Sequence, residues 1–221
     1  MKYYKFELSM LWANILSLVI FVIGFVVMFF AYGPIQMNNM GLVLFELFLY
    51  LGIHEVVHGI AFACFCKDKK NVKFGAMLEK GVLYAMCQER ISRKGAFISL
   101  MAPTVVLTFI ALIPACIFRI DTLVMLAIFN LSGAAGDLLM TLFLTKLPKD
   151  IQYIDYDNVI GFYLLSKKDL SKYNSPYVKY VESGTDSDKL INKNIKSIYI
   201  SKQSWIVFAM IALVFIAYIL V

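Results

Sequence analysis

The chain has 221 residues, of which 61% are hydrophobic and only 16% are charged, and its mean hydropathy is +0.75. A soluble domain is about half apolar, so this composition excludes an ordinary soluble protein and predicts one that crosses a membrane several times. The net charge of +6 does not indicate a nucleic-acid partner, because 20 of the 21 Lys and Arg residues lie in three polar segments, 1–10, 67–94 and 146–202, as the positive-inside rule describes.

Five apolar stretches are long enough to cross a bilayer. We predict transmembrane helices over residues 11–32, 41–66, 95–118, 123–145 and 204–221. The predicted fold is therefore an all-α polytopic membrane protein with about five transmembrane helices, accompanied by a small cytoplasmic β hairpin and a small cytoplasmic segment. In this division, residues 1–145 form the membrane-embedded core, residues 146–203 form the cytoplasmic segment, which is α/β or loosely ordered, and residues 204–221 form a C-terminal transmembrane helix.

The hairpin is predicted within residues 72–90, where two short β-prone runs flank the turn Glu79-Lys80-Gly81. Its open edge is suited to binding an extended peptide as an additional strand, or the hairpin serves only as a structural flap. A second hairpin is predicted from Gln152 to Leu165, with Asp155, Asp157 and Asn158 as surface groups at its bend.

The prolines of the third span and the four cysteines have no assigned chemistry. Pro103 and Pro114 interrupt the third span, where a proline frees a backbone carbonyl and kinks the helix, either for function or for packing alone. The four cysteines show no C-x-x-C spacing, so we interpret them as small apolar residues and not as metal ligands. These cysteines are Cys64, Cys66, Cys87 and Cys116.

The second span contains the H-E-x-x-H motif His54-Glu55-Val56-Val57-His58, which holds both histidines of the chain. On a helix, positions i and i+4 share one face, so both imidazoles can bind one Zn²⁺ while Glu55 stands beside a metal-bound water. The alternative is a pair of core histidines bonded to backbone carbonyls or to each other. Burial of two imidazoles and a carboxylate in hydrocarbon is costly without partners, which favours the metal site.

A catalytic zinc usually has three protein ligands, so the third must come from another residue type. His58 and Asp137 each lie about 12 Å from the inner end of their predicted spans, and this shared depth predicts Asp137 as the third ligand. An acid that packs or pairs with a neighbouring helix is the alternative role for Asp137. Glu79 and Glu89 of the hairpin are alternative ligands, whereas Glu46 lies about 12 Å from His54 along the same helix.

Asn130 precedes Asp137 by two helical turns and therefore shares its face. It is a candidate catalytic residue that would bond a metal ligand, the water or a substrate carbonyl. A hydrogen bond to a neighbouring helix alone is the other interpretation.

The pattern resembles the membrane-embedded zinc metalloproteases of the site-2 protease type, and more closely a bacterial family of zincin peptidases. The second resemblance covers most of residues 45–165. It is carried by His54-Glu55-Val56-Val57-His58-Gly59, Gly81-Val82-Leu83-Tyr84, Ala102-Pro103, Asn130 through Asp137, and Gly161-Phe162-Tyr163. Site-2 proteases have an Asp on a later span as third zinc ligand and an Asn shortly before it, which implies these roles for Asp137 and Asn130. The chain departs from that pattern at Gly133 and Leu138, where site-2 proteases have Pro and Gly, and in the Asn-to-Asp spacing.

These observations predict an intramembrane zinc metalloendopeptidase with one Zn²⁺ per chain, in which Glu55 activates the water. Its partners would be the lipid bilayer and a membrane protein substrate, cleaved in or near a transmembrane segment. The alternative is a non-proteolytic membrane protein, a metal binder or an adaptor, that retains a zincin-like site. The charge pattern and composition suit a bacterial plasma membrane, with the N-terminus and the active site toward the cytoplasm.

Overall fold

The computed structural model describes residues 1–36, 40–77, 82–155 and 161–185, and these ranges contain five α-helices and seven β-strands. The helices are α1 (Met10–Tyr32), α2 (Met40–Ala63), α3 (Arg93–Phe118), α4 (Asp121–Gly133) and α5 (Ala135–Thr145). The strands are β1 (Lys2–Leu8), β2 (Val72–Met77), β3 (Val82–Cys87), β4 (Ile91–Ser92), β5 (Gln152–Asp155), β6 (Gly161–Ser166) and β7 (Val178–Gly184).

Three helices within the described ranges are long and apolar enough to cross a membrane: α1, α2 from Gly41 onward, and α3. They correspond to the first three predicted spans. Only one side of α1 packs against the other helices. Most of the large apolar side chains of α1 are therefore exposed. Lipid is the environment in which such a surface is stable. The predicted fifth span, 204–221, lies outside the described residues.

The fourth predicted span, 123–145, is broken. Helices α4 and α5 meet at a 45° bend, so this pair is either one broken span or a re-entrant loop. The backbone leaves helical geometry at Ala134, which has φ −74° and ψ 8°. Gly133 and Gly136 flank this point, and glycine is a weak helix former because it loses the most backbone freedom when it is fixed. The break therefore coincides with the run of small residues Ser132-Gly133-Ala134-Ala135-Gly136.

A five-stranded antiparallel sheet, in the order β4-β5-β6-β1-β7, contradicts the predicted all-α fold class. The first ten residues, expected to be a short polar lead into the first span, contribute β1, which pairs with β6 on one side and β7 on the other. Tyr4 and Phe6 of this strand are buried while Lys5 and Glu7 are not, which is the period of two that a strand imposes. The predicted strands of the hairpin in 152–165 are present as β5 and β6, but its bend, with Asp157 and Asn158, lies outside the described residues.

One hydrophobic core joins the sheet to the C-terminal ends of α2 and α5 and to the N-terminal half of α3. The ring of Phe6 lies 5.0 Å from that of Phe143 on α5 and 5.9 Å from that of Phe162 on β6, measured between centroids. The buried members of this cluster also include Phe62 of α2 and Leu100 of α3. The sheet therefore forms the base on which α2, α3 and α5 converge.

The predicted hairpin within 72–90 is present as β2 and β3, whose register runs from Val72 opposite Cys87 to Met77 opposite Val82. Its turn lies outside the described residues. The hairpin packs against α2 through both strands. Cys87 at the end of β3 forms a disulfide with Cys66, just after α2. This corrects our interpretation of Cys66 and Cys87 as small apolar residues.

We expect Phe6→Ala to destabilise the protein by about 3–5 kcal/mol, because it removes a fully buried ring from the core that supports three helices. Thermal unfolding in detergent would measure the change. Lys2→Ala, an exposed position on the same strand, is the control and should stay within about 0.5 kcal/mol of the wild type. Equal stability of the two variants would show that β1 is not part of the core.

Candidate metal centre

Helix α2 places His54 and His58 one turn apart on the same face, and their ring centroids are 4.8 Å apart. Both side chains are buried, with exposed fractions of 7% and 4%. Their face of α2 packs toward the protein interior, whereas the opposite face carries exposed large apolar side chains. The two imidazoles therefore share one interior site.

Asp137 lies between the two imidazoles. Its Oδ2 is 3.4 Å from Nε2 of His54 and 3.2 Å from Nε2 of His58. With zinc bonds of about 2.0–2.2 Å, tetrahedral geometry separates the ligand atoms by about 3.3–3.6 Å. Two imidazole nitrogens and one carboxylate oxygen at these distances fit the donor set of a zinc ion. The structure thus brings together the three residues that the sequence predicts as ligands.

The break between α4 and α5 determines the surroundings of Asp137. Because α5 begins at Ala135, Asp137 occupies the first helical turn. The free N–H groups and the partial positive charge at a helix N-terminus favour a negative side chain there. A continuous helix would have placed the same carboxylate in mid-span without this stabilisation.

The other nitrogen of each imidazole is held by an oxygen. Nδ1 of His54 lies 2.9 Å from Oδ1 of Asn130, and Nδ1 of His58 lies 2.8 Å from the backbone carbonyl of Ser99. Both oxygens are acceptors, so each Nδ1 carries the proton and donates it. Each Nε2 is then left with its lone pair directed toward the site, which is the tautomer that binds a metal.

Pro103 explains why the carbonyl of Ser99 is available. In an α-helix the carbonyl of residue 99 accepts from the N–H of residue 103, and proline has no N–H. This carbonyl of α3 accepts from His58 instead. The sequence left open whether the prolines of this helix serve function or packing, and the structure connects Pro103 directly to the orientation of His58.

Asn130 connects His54 to the same part of α3. Its side chain is buried, and Nδ2 donates to the carbonyl of Pro103 at 3.2 Å and to Oγ1 of Thr108 at 3.0 Å. These two bonds orient the amide so that Oδ1 faces His54. Asn130 therefore bonds both a candidate ligand and a neighbouring helix, two of the interpretations that the sequence left open. Its contacts make it a positioning residue.

Glu55 lies beside the same histidines but has a different partner. Its potential ligand atoms and those of His54 and His58 lie within 4.8 Å of one another, so these three residues also qualify as a metal-binding group. However, Oε2 of Glu55 accepts a hydrogen bond from the backbone N–H of Ala85 at 2.7 Å. Asp137, which contacts both Nε2 atoms, is the better third ligand, and Glu55 remains available for proton transfer.

The other carboxylates considered as ligands do not reach the site in the described part of the chain. Oε2 of Glu89 accepts from the backbone N–H groups of Lys67 and Asp68, beyond the end of α2. Glu46 stays on α2 two turns before His54. Glu79 lies outside the described residues.

A cavity of about 470 Å³ contains the candidate site. Its wall includes the two histidines, Glu55 and Asp137, together with residues of α1, α4, β3 and the large sheet. Most of the lining is apolar, with a few convergent polar groups, as in pockets that bind and act on other molecules. The candidate metal site and Glu55 therefore face a cavity that can hold part of a substrate.

Asp155 also lines this cavity, which sequence reasoning missed. Its Oδ2 accepts from the backbone N–H of Cys87 at 3.3 Å, and its Oδ1 accepts from the hydroxyl of Tyr153. Burial raises the pKa of the Asp155 carboxyl to about 7. We predicted a surface group at the bend of a hairpin. The sequence carried no signal for its burial, because the sheet that covers it was not predicted as a whole.

Comparison with known proteins supports a metallopeptidase. Residues 47–152 match a protein family described as "Putative zincin peptidase". The matched range contains the H-E-x-x-H motif, Asn130 and Asp137, and it supports a zincin-like family with zinc as the metal. No curated protein and no solved structure shows a significant match. The resemblance to site-2 proteases stays a prediction.

We expect Pro103→Ala to weaken zinc binding by about tenfold, because the new N–H competes with His58 for the carbonyl of Ser99. Titration of the metal-free protein with zinc against a competing chelator would measure the affinity. Pro114→Ala is the matched control, since it makes the same change in the same helix three turns away. Ser99→Ala should also keep the affinity, because the backbone carbonyl remains. Equal effects of the two proline variants would contradict a specific role for Pro103.

Proposed function

We propose that the protein is an integral membrane zinc endopeptidase that cleaves another membrane protein in or near a transmembrane segment. The observation that carries this proposal is the convergence of His54, His58 and Asp137 at ligand distances, with Glu55 beside them in an open cavity. The family match supports the zinc metallopeptidase class. The apolar helices that carry the site support a substrate that lies in the same membrane.

His54, His58 and Asp137 would hold one Zn²⁺ per chain. When bound, the metal polarises a carbonyl and lowers the pKa of a coordinated water to about 7. The chain prepares this site with Asn130 and the carbonyl of Ser99, which orient the two imidazoles through their Nδ1 atoms. Such outer hydrogen bonds fix both the tautomer and the ring plane.

Glu55 would act as general base and then as general acid. Its carboxylate takes a proton from the attacking water and passes it to the nitrogen of the leaving amine. Oε2 is held at the cavity wall by Ala85, so we assign proton transfer to Oε1. A purely structural metal site has no use for an acid at this position, and Glu55 therefore favours the enzyme over a non-proteolytic metal binder or adaptor.

The edge of β3 offers a place for the substrate backbone. The N–H groups of Ala85 and Cys87 point away from β2, toward Glu55 and Asp155, and residues of β3 line the cavity. Glu55 and Asp155 already accept from these two N–H groups. An extended peptide would therefore pair along this edge through the backbone groups of Leu83 and the carbonyl of Ala85, and would pass directly beside Glu55. Peptide binding at the hairpin therefore fits the geometry better than a simple flap.

The large sheet would lie on the cytoplasmic side of a bacterial plasma membrane, and the Cys66–Cys87 pair, which lies on the same side, would be reduced there because disulfides are rare in the cytoplasm. The Lys- and Arg-rich segments include β1, the connection from α2 to α3, and the segment that follows α5, so one orientation places all of them inside. Water would reach the zinc from this side, because Tyr153, Asp155 and Gly161 of the sheet border the cavity. Hydrolysis within a membrane requires such a path.

We expect Glu55→Gln to retain zinc at one ion per chain and to lose cleavage by at least about 100-fold, since the amide cannot accept a proton. Metal analysis of the purified protein measures the first quantity. Comparative proteomics of cells that express wild-type or variant protein measures the second, through a truncated membrane protein. Unchanged cleavage would contradict the mechanism. Zinc binding without any truncated protein in wild-type cells would favour the non-proteolytic alternative.

We expect Asp137→Ala to weaken zinc binding by more than about 100-fold, because the loss of a ligand exceeds the 10–100-fold effect of losing an outer hydrogen bond. Chelator competition on the purified protein measures the affinity. Glu89→Ala is the matched control and should leave the affinity unchanged, because Glu89 bonds backbone groups beyond α2. If Glu89→Ala lost zinc affinity and Asp137→Ala kept it, Glu89 would be the third ligand in place of Asp137.

A further inference from the structure

Helix α1 has two polar side chains that the proposed chemistry does not use. Between Ala13 and Phe30, Asn14 and Ser17 are the only polar residues of this helix. Both line the cavity that contains the H-E-x-x-H residues. Asn14 is exposed and Ser17 is half-buried.

These two residues lie on the side of α1 that faces the rest of the protein. They are three positions apart and share a helix face. Farther along this face, the ring of Phe21 lies 5.3 Å from that of Phe129 on α4, measured between centroids. Gly24 packs against Ile128, since a Cβ at this glycine would lie 3.4 Å from that side chain. The face therefore packs on α4 in its outer half and borders the cavity at Asn14 and Ser17.

Within the part of the chain that the structure describes, the side chains of Asn14 and Ser17 have no hydrogen-bond partner. An amide and a hydroxyl in an apolar span are costly unless something satisfies them. Their position on the cavity wall means that the partner can be a molecule that enters the cavity.

An extended peptide needs hydrogen bonds along both of its edges, because its N–H and C=O groups alternate between the two sides. The edge of β3 can pair with one side only. Helix α1 packs on α4 and α5, whereas β3 packs on α2. Residues of both α1 and β3 line the cavity. Protein groups that pair the second edge of the peptide would therefore add to its affinity.

We propose that Asn14 and Ser17 bind the backbone of an extended peptide substrate along the edge that β3 leaves unpaired. The amide of Asn14 carries both a donor and an acceptor, which match the C=O and N–H of one peptide residue, and the hydroxyl of Ser17 adds one further bond. This site selects for an unwound backbone, since the backbone groups of a helical segment are already paired. The inference rests on the proposed peptidase function and adds a determinant of substrate conformation.

Binding of two hydroxamates to the zinc-loaded full-length protein in detergent tests the proposal. Acetohydroxamate has only the zinc-binding group, whereas trileucyl hydroxamate adds a peptide backbone. We expect Asn14→Leu to weaken trileucyl hydroxamate about tenfold, since it removes two neutral hydrogen bonds at similar side-chain size. Ser17→Ala should weaken it about threefold. Acetohydroxamate affinity and zinc content should not change in either variant.

Ile15→Ala, on the exposed face of the same helix, is the control and should bind both compounds like the wild type. Unchanged affinity for trileucyl hydroxamate in both Asn14→Leu and Ser17→Ala would overturn this inference and leave the peptidase proposal intact. Equal weakening of the two compounds would also overturn it, because Asn14 would then act on the metal site. Failure of the zinc-loaded wild type to bind either hydroxamate would instead contradict the proposed function itself.

Discussion

The structure depends on the placement of one carboxylate, that of Asp137, against two imidazoles inside a bundle of apolar helices. Each of these groups would be costly to bury alone, and the two Nε2 lone pairs face the Asp137 carboxylate at 3.2 and 3.4 Å, so a cation between them would satisfy all three. A bound zinc would take the place of these direct contacts with bonds of about 2.0–2.2 Å. The surrounding helices and strands hold these three side chains in place.

Two interruptions of regular helix make the site possible. The break at Ala134 creates a new helix N-terminus three residues before Asp137, which favours its negative charge. Pro103 leaves the carbonyl of Ser99 without its helical partner, and His58 takes that place. In both cases the main chain supplies polar groups inside the helix bundle, where polar side chains are costly to bury unless they are paired. The β-sheet then anchors the C-terminal end of α5 through Phe6 and Phe143.

The sequence was sufficient to bring the candidate site residues together but not to give the fold, and the roles of these residues stay predictions. Helical spacing was sufficient to place His54 and His58 on one face, and equal depth in two spans was sufficient to bring Asp137 near them. The sheet was missed because its strands are short and far apart in the chain: β1 precedes the first helix, and its partners β6 and β7 come after the last described helix. Such pairing depends on tertiary contacts that local patterns do not carry. The partial burial of Asp155 was missed for the same reason, and the break in the fourth span was missed although Gly133 and Gly136 flank it.

Zinc K-edge X-ray absorption of the purified full-length protein tests the central claim most directly. We expect one zinc per chain with only nitrogen and oxygen neighbours at about 2.0–2.2 Å, and with the outer scattering of two imidazole rings. Sulfur neighbours at about 2.3 Å would place the metal at cysteines and contradict it. The scattering of fewer than two imidazoles would do the same, because His54 and His58 are the only histidines of the chain.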